Sequence, residues 1–174
     1  SGPRTVHIDI VDYPGEWLLD LALMDQTYAQ WSAAALARAD GRPGGAQYLE
    51  QLTTVDPNAK LDEPSAQALA AAYTAHLNAS RAAGYSDCTP GRFMLPGELA
   101  GSPVLTFAPL PGDSFARKSL GREFERRYES YKRHIVRPFF RDHFAKIDRQ
   151  VVLVDALGAI HQGPQAVEDL RAAM

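Results

Sequence analysis

Residues 6–17 of the chain read VHIDIVDYPGEW. The first half of this stretch alternates strictly, with valine and isoleucine side chains on one side of the chain. A period of two predicts a strand with one buried face, and we place that strand near residues 5–12. The strand ends in Asp12, after which a Pro-Gly pair opens onto helical periodicity. A carboxylate at the carboxyl end of a strand, followed by a glycine and a helix, is typical of phosphate and magnesium sites in α/β proteins.

A second strand is predicted near residues 150–155, which read QVVLVD and also end in an aspartate. This run is apolar and rich in β-branched residues, as in a strand that is buried on both faces. Two short buried strands this far apart in the chain do not make a sheet alone if other strands belong between them. The predicted fold class is therefore α/β, with part of the core sheet absent from these residues.

The chain between the two strands is predicted to be mostly helical. Apolar residues from Trp17 to Ala35 recur every three or four positions, which predicts one amphipathic helix ending near Ala39. The further predicted segments are a short helix at 47–54, a helix from Pro64 to Gly84, a Pro/Gly-rich loop at 85–113 with a short edge strand at 104–107, and a helix at 118–144 kinked by Pro138. His76 lies on an apolar helix face and is predicted to be a hydrogen-bonded core residue rather than a ligand.

Composition indicates an ordinary globular chain of 174 residues, with 45% hydrophobic and 22% charged residues. No apolar run approaches the length of about 18 residues that a membrane span needs, and the polar start gives no sign of a secretory signal. The single cysteine, Cys88, excludes an internal disulfide and suits a reducing compartment, so we expect a cytoplasmic protein. The net charge of −3 and the absence of a recognition motif argue against nucleic-acid binding.

Asp12 and Gly15 match a D-x-x-G pattern, whose spacing has a physical reason. An aspartate at a strand tip can reach a magnesium ion, and after the turn the glycine N–H can approach a phosphate without a side chain in the way. The alternative is that Asp12 only forms the turn, as Asx residues commonly do. The pattern alone is weak, and its position between a strand and a helix strengthens it.

The wider sequence resembles the YcjX-like family of bacterial stress-associated proteins, regarded as P-loop NTPases and probable GTPases. Four stretches carry the resemblance: DYPGEWLLDL at 12–21, PGRFMLPG at 90–97, YKRHIVRPFFRDHF at 131–144 and DRQVVLVDAL at 148–157. The resemblance implies part of a Ras-like P-loop NTPase core with a large, mostly helical insertion. The implied division is a core strand and switch turn at 1–16, the insertion at 17–144, and a core strand with its following helix at 145–174.

The same resemblance implies the chemistry of the site. Asp12 would be the magnesium-side aspartate and would bind nucleotide together with Gly15, and Glu16 stands where many GTPases keep a water-orienting glutamine. The implied ligands are Mg²⁺ with GTP or GDP, ATP being the alternative. No G-x-x-x-x-G-K-[ST] or [NT]-K-x-D motif is present, so we expect these residues to be an internal segment of a longer polypeptide.

Two functional hypotheses remain open from the sequence. The first is a Mg-dependent GTP or ATP hydrolase of the P-loop class, completed by elements outside these residues. The alternative is a helical interaction or regulatory module without catalysis, with a protein partner bound through the helices. Residues 113–149 carry 11 basic and 6 acidic side chains. For the cluster Lys132, Arg133, Arg137 and Arg141 we favour ion pairing or solvation, the alternative being an arginine that reaches the phosphates.

Overall fold

The computed structural model describes residues 7–142, 144–149 and 151–173, and its regular elements are all helical. The α-helices are α1 (Gly15–Leu19), α2 (Tyr28–Ala39), α3 (Gly45–Leu52), α4 (Glu63–Ala82), α5 (Gly91–Met94), α6 (Leu120–Tyr131), α7 (Arg137–Asp142), α8 (Ala156–Gln162) and α9 (Pro164–Ala173). Short 3₁₀ turns lie at Asp20–Asp25, Gly97–Leu99, Pro103–Leu105 and Phe144–Lys146, and a π-helical turn lies at Lys132–Val136.

The two predicted strands are not formed within the described residues. Residues 7–14 and 151–155 have no regular secondary structure. The β-type pairing that the described residues do contain is a single antiparallel bridge between Lys60 and Ser119. The α/β prediction is thus not confirmed by the structure, and positions 5, 6 and 150 of the predicted strands lie outside the described residues.

The physical reason is that neither segment is paired with a neighbouring strand among the described residues. The side chain of Ile10 is 90% exposed and that of Leu153 is 92% exposed. A lone strand leaves its backbone donors and acceptors without the inter-strand hydrogen bonds that stabilise it. Both segments therefore keep the sequence of buried strands while lying in solvent.

The first predicted long helix is divided into α1, the 3₁₀ turn Asp20–Asp25 and α2. A capping box starts α2: Thr27 Oγ1 accepts from the Gln30 N–H at 3.2 Å, and Gln30 Oε1 accepts from the Thr27 N–H at 2.9 Å. This arrangement fixes a new helix start because it satisfies N–H groups that an unbroken helix would have paired internally. Helix α2 ends at Ala39, as predicted.

Helix α4 follows the prediction closely. Asp62 caps it by accepting from the Ser65 N–H at 3.0 Å, and Pro64 lies in its first turn. His76 is 4% exposed, and its Nδ1 lies 2.8 Å from the Pro43 carbonyl, so this histidine is a hydrogen-bonded core residue as predicted. Within the part of the chain that the structure describes, no helix combines the length and apolarity needed to cross a membrane.

The second long helix is interrupted at the predicted place. Helix α6 passes through the π-helical turn Lys132–Val136 into α7, so the axis changes just before Pro138. Proline has no N–H to donate to the carbonyl four residues earlier, and its ring clashes with that turn. The wider π turn accommodates the proline without ending the helical path.

The core is an aromatic cluster around Trp31, which is fully buried and stacks on Tyr128 with ring centroids 5.2 Å apart. Phe107 is also fully buried, but the edge strand predicted at 104–107 is wrong. Side-chain hydroxyls occupy the carbonyls that follow it: Tyr28 Oη donates to Ala108, Tyr48 Oη to Pro109 and Ser32 Oγ to Leu110, each at 2.7 Å. The residues after the 3₁₀ turn are therefore held by side chains of the helices rather than by a neighbouring strand.

Candidate functional site

The turn predicted to carry the chemistry, residues 12–15, lies at the surface. Asp12 is exposed and forms no hydrogen bond or ion pair with any described residue. Gly15 begins α1 and is exposed, and a Cβ built on it would meet nothing within 4 Å. Both groups are therefore open to a ligand approaching from solvent.

Glu16, the predicted catalytic residue, faces the helices instead. Its carboxylate forms an ion pair with the Arg81 guanidinium at the end of α4, and its side chain is 18% exposed. Its backbone carbonyl lies against Gly91, where an added Cβ would fall 1.8 Å from the Glu16 oxygen. The structure thus distinguishes Glu16, whose carboxylate is ion-paired with Arg81, from Asp12 and Gly15, which are exposed.

Trp17 fixes the start of α1 to the Pro/Gly-rich loop. Its indole Nε1 donates to the Leu95 carbonyl at 3.0 Å, and the Arg92 guanidinium lies 3.2 Å from the centroid of its ring. Phe139 contacts both Trp17, at 6.1 Å between centroids, and Tyr13, at 5.1 Å, with the ring planes nearly perpendicular in each pair. Stacked cations and edge-to-face rings each add to the apolar burial of such a contact. The residues on both sides of Gly15 are thereby held in place.

Asp20 is the most deeply buried carboxylate of this region, with 2% of its surface exposed. It accepts hydrogen bonds from the Gly91 N–H at 2.7 Å, the Arg92 N–H at 3.3 Å and the Tyr131 hydroxyl at 2.5 Å. Burial raises the pKa of Asp20 to about 6, although the Tyr131 hydroxyl and the two N–H groups oppose that rise. Burial and the adjacent Asp20 raise the pKa of Tyr131, so the tyrosine remains the donor.

Sequence periodicity did not find Asp20, because an aspartate beside an apolar stripe is expected to face solvent. The available signal was the set of stretches that carried the family resemblance. Asp20 belongs to 12–21, its N–H donors to 90–97, and Tyr131 opens 131–144. Three of the four stretches therefore meet at one buried carboxylate.

The fourth stretch, 148–157, leads into helices that pack beside the same end of α4. A Cβ on Gly84 would lie 2.2 Å from the side-chain amide of Gln162 in α8. The Arg42 guanidinium bridges Asp87, at 2.6 Å, and Asp169 of α9, at 3.2 Å. The segments that follow the two predicted strands are thus anchored within a few residues of each other, at Arg81 and Gly84.

The donor set fits a magnesium ion that is shared with a nucleotide. Mg²⁺ is usually bound through one or two carboxylates, with waters and substrate phosphates completing its shell. Asp12 can supply one such carboxylate, since its oxygens have no partner among the described residues. Those residues contain no group of three or more histidine, cysteine or acidic side chains that could hold a metal alone.

The basic cluster is partly ion-paired. Lys132 bonds to Glu129 at 3.0 Å and to the Gln26 carbonyl at 2.8 Å, and Arg141 bonds to Asp142 at 2.6 Å. Arg133 and Arg137 are exposed and form no ion pair with the described residues. Within the described part of the chain, neither arginine forms a hydrogen bond or an ion pair with the turn at 12–15.

Comparison with known proteins gives a consistent result. The model of the "YcjX-like family, DUF463" matches residues 1–174. The chain is 38% identical over 181 residues to "Ras-like GTPase YcjX" of Escherichia coli (strain K12), covering 98% of this chain and 39% of that protein. It is 38% identical over 183 residues to the protein of the same name from Shewanella oneidensis, covering 98% of this chain and 38% of that one. The chain therefore spans about two fifths of the length of the curated relatives it matches.

Proposed function

This chain belongs to the YcjX-like family, and on that premise we propose that it supplies one wall of a Mg²⁺–guanine nucleotide site in a Ras-like GTPase. Asp12 and Gly15 form that wall, and the phosphate loop and base-reading motif come from residues outside this chain. GTP or GDP is the proposed ligand, with ATP as the alternative nucleotide. The reaction is hydrolysis of the terminal phosphate, in the bacterial cytoplasm that the single unpaired cysteine suits.

One observation carries the proposal: Asp12 and Gly15 are exposed, whereas the residues that follow them are fixed by contacts with the rest of the protein. The carboxylate of Asp12 has no partner among the described residues, and Gly15 has open space at its Cα. Beyond them, Glu16, Trp17 and Asp20 are fixed to the helices and the Pro/Gly-rich loop by an ion pair, an indole hydrogen bond and a buried carboxylate, respectively. A turn whose only role was structural has no need for two unpartnered chemical groups on a rigid support.

The proposed roles follow from these positions. Asp12 would bind the metal, directly or through a water, and Gly15 would donate its N–H to the terminal phosphate. When bound, Mg²⁺ would neutralise negative charge on the phosphate oxygens. Glu16 is the weakest of the three assignments, because its carboxylate must leave Arg81 before it can orient a water. We keep Glu16 as a catalytic candidate only in a state in which that ion pair is broken.

The exposed strand sequences support the proposed division at 1–16, 17–144 and 145–174. Apolar residues at 8–11 and 151–154 are exposed, although their patterns are those of buried strands. The segments that follow them are anchored at the same end of α4, beside Arg81 and Gly84. We infer that both segments enter one core sheet at that end, and that residues 17–144 are a helical insertion between them.

In this arrangement, a change at the bound nucleotide can be transmitted to the helices. In GTPases the segment that contacts the terminal phosphate changes order on hydrolysis. Here that segment is continuous with α1, and α1 is tied to α4, α5 and α6 through Glu16, Asp20 and Tyr131. A displacement of Gly15 must therefore break those contacts or move the helices with it.

The direct test is GTP turnover by the complete gene product that carries these residues. We expect Asp12→Ala to lose most Mg²⁺-dependent turnover. Asp9→Ala is the matched control, because Asp9 is an exposed carboxylate three residues earlier in the same irregular segment. Equal turnover in the Asp12 variant and the control would remove Asp12 from the site and favour the alternative, a helical interaction module without catalysis.

A further inference from the structure

A second surface, distinct from the turn, is a groove of about 1180 Å³ along the outer face of α6 and the π turn. Lys60 and Lys118 line the groove at the start of α6, beside its N-cap Ser119. Seven lysine and arginine side chains line it, against three glutamates. The groove therefore carries a surplus of positive charge in a chain whose net charge is −3.

The three glutamates are already neutralised by neighbours on α6 or the adjoining turn. Glu125 bonds to Arg122 at 2.5 Å, and Glu129 bonds to Lys132 at 3.0 Å. Glu123 accepts from both Arg126, at 2.6 Å, and the buried Arg127, at 2.8 Å. These pairs leave no carboxylate within the groove to balance its remaining cations.

Four cations of the groove have no ion-pair partner among the described residues: Lys60, Lys118, Arg133 and Arg137. All four are exposed. Lys60 and Lys118 lie beside Ser119, at the amino-terminal end of α6, whereas Arg133 and Arg137 lie beyond its carboxyl-terminal end. An anionic ligand lying along the groove can therefore meet positive charge at both ends.

The backbone brings Lys60 and Lys118 near each other, and Lys118 has a strained backbone conformation. Lys60 forms an antiparallel bridge with Ser119, and the Leu120 N–H donates to the Ala59 carbonyl at 2.9 Å. Lys118, the neighbour of Ser119, has a φ of 65°, in the left-handed region that disfavours residues other than glycine. Strain of this kind persists where the surrounding structure imposes it, and it is concentrated at functional positions. Both lysines thus line the groove at the start of α6, and neither forms an ion pair with a described residue.

The helical path is irregular at the carboxyl-terminal end of α6. The π-helical turn Lys132–Val136 carries Arg133 and His134 into the groove lining. π turns are rare within α-helices and occur frequently at functional sites. Pro138 accounts for a break in the helix here, but not for the basic side chains that the break presents.

We propose that this groove binds an acidic polypeptide segment of a partner protein. A nucleic acid fits less well, because single-strand grooves stack bases on aromatic rings and no phenylalanine, tyrosine or tryptophan lines this one. A membrane surface is flat, whereas this site is a groove whose lining includes three glutamates. An extended acidic segment can place carboxylates between the paired glutamates and meet the four unpaired cations.

The test measures anisotropy of a short fluorescein-labelled oligoglutamate peptide on the complete gene product. The groove variant is Arg133→Glu with Arg137→Glu. The control is Arg149→Glu with Arg171→Glu, which changes net charge equally at exposed positions off the groove. We expect the groove variant to bind about tenfold more weakly and the control to bind as the parent does, since close charge pairs contribute on the order of 1 kcal/mol or more to such contacts.

Two further probes distinguish the ligand class: a single-stranded RNA oligonucleotide of the same charge, and vesicles containing phosphatidylglycerol. Peptide binding that is lost in the groove variant alone, with weaker RNA and vesicle binding, supports the proposal. No peptide binding, equal loss in the control variant, or tighter groove-dependent binding of RNA or vesicles would overturn it. Circular dichroism checks that both variants are folded. We expect both to be folded, because all four side chains are exposed.

Discussion

The backbone carbonyl of Glu16 occupies the space where a side chain on Gly91 would begin. A Cβ at Gly91 would lie 1.8 Å from that oxygen, and the Gly91 N–H donates to Asp20 at 2.7 Å. The glycine thus lets α1 and the Pro/Gly-rich loop approach within backbone contact. This contact fixes the helix that follows the candidate turn.

We predict that Gly91→Ala destabilises the protein by about 1–3 kcal/mol, because the added methyl group must push the two segments apart. The matched change is Gly15→Ala, at a position where a Cβ meets nothing within 4 Å. Gly15→Ala should leave the free energy of unfolding nearly unchanged and weaken GTP binding by the complete gene product. Chemical denaturation and nucleotide titration measure the two effects. Normal GTP binding in Gly15→Ala would contradict the proposed role of this glycine.

Glu16 and Arg81 form the second tie between the turn and the helices. The pair is partly exposed, with the Arg81 side chain 46% exposed, so we expect a coupling energy of about 0.5 kcal/mol. Glu16→Arg and Arg81→Glu should each destabilise the protein, and the double exchange should recover part of the loss. A double-mutant cycle on the free energy of unfolding checks this, and strictly additive effects would show that the pair does not couple the two segments.

Asp20 gives a pH-dependent prediction whose sign is fixed by its environment. Burial raises its pKa from 3.8 to about 6, so the folded protein holds the proton more tightly than the unfolded chain. Its contribution to stability is present below pH 3.8 and is lost as pH rises through about 6. The shift corresponds to about 3 kcal/mol at roughly 1.4 kcal/mol per pKa unit.

The measurement is the stability difference between the parent protein and Asp20→Asn across this pH range. We expect the parent to lose stability relative to the variant as pH rises. Asp25→Asn is the control, because Asp25 is exposed at the other end of the same 3₁₀ turn. A difference that is constant with pH, or equal to that of the control, would contradict the raised pKa of Asp20.

Cys88 is predicted to be an unreactive thiol. It is 3% exposed, and burial raises its pKa to about 11, so very little thiolate exists at neutral pH. A thiol reagent such as DTNB should label the native protein slowly and the urea-unfolded chain rapidly. Rapid labelling of the native protein would show that the loop at 85–90 opens readily.

Helix positions were largely predictable because their signals are local. Apolar periodicity and caps located α4, and the Pro138 signal located the break after α6. The division of the first long helix was missed, although the Thr27–Gln30 capping box that starts α2 is a local signal. The inward turn of Asp20 toward Gly91 and Tyr131 has no such signal, because its partners are distant in sequence. The edge strand at 104–107 was wrong for this second reason, because tyrosine hydroxyls from distant helices donate to the carbonyls that follow it.

The site was predictable only in part. The D-x-x-G pattern identified Asp12 and Gly15, and the structure leaves both open, which agrees with a ligand-facing role without testing it. Glu16 was placed by its position after the glycine, whereas its partner Arg81 lies far along the chain and carries no local signal. The two strand sequences describe a sheet that requires further strands, so local pattern and observed structure differ there for a physical reason.

The most direct test of the account is Mg²⁺-dependent GTP binding by the complete gene product and by its Asp12→Ala variant. We predict that Mg²⁺ strengthens GTP binding by the parent protein and that the variant loses most of that dependence while remaining folded. The variant is suitable because the Asp12 side chain is exposed and has no hydrogen-bond or ion-pair partner in the described part of the chain. An unchanged Mg²⁺ dependence in Asp12→Ala would contradict the proposal that this turn is a wall of the nucleotide site.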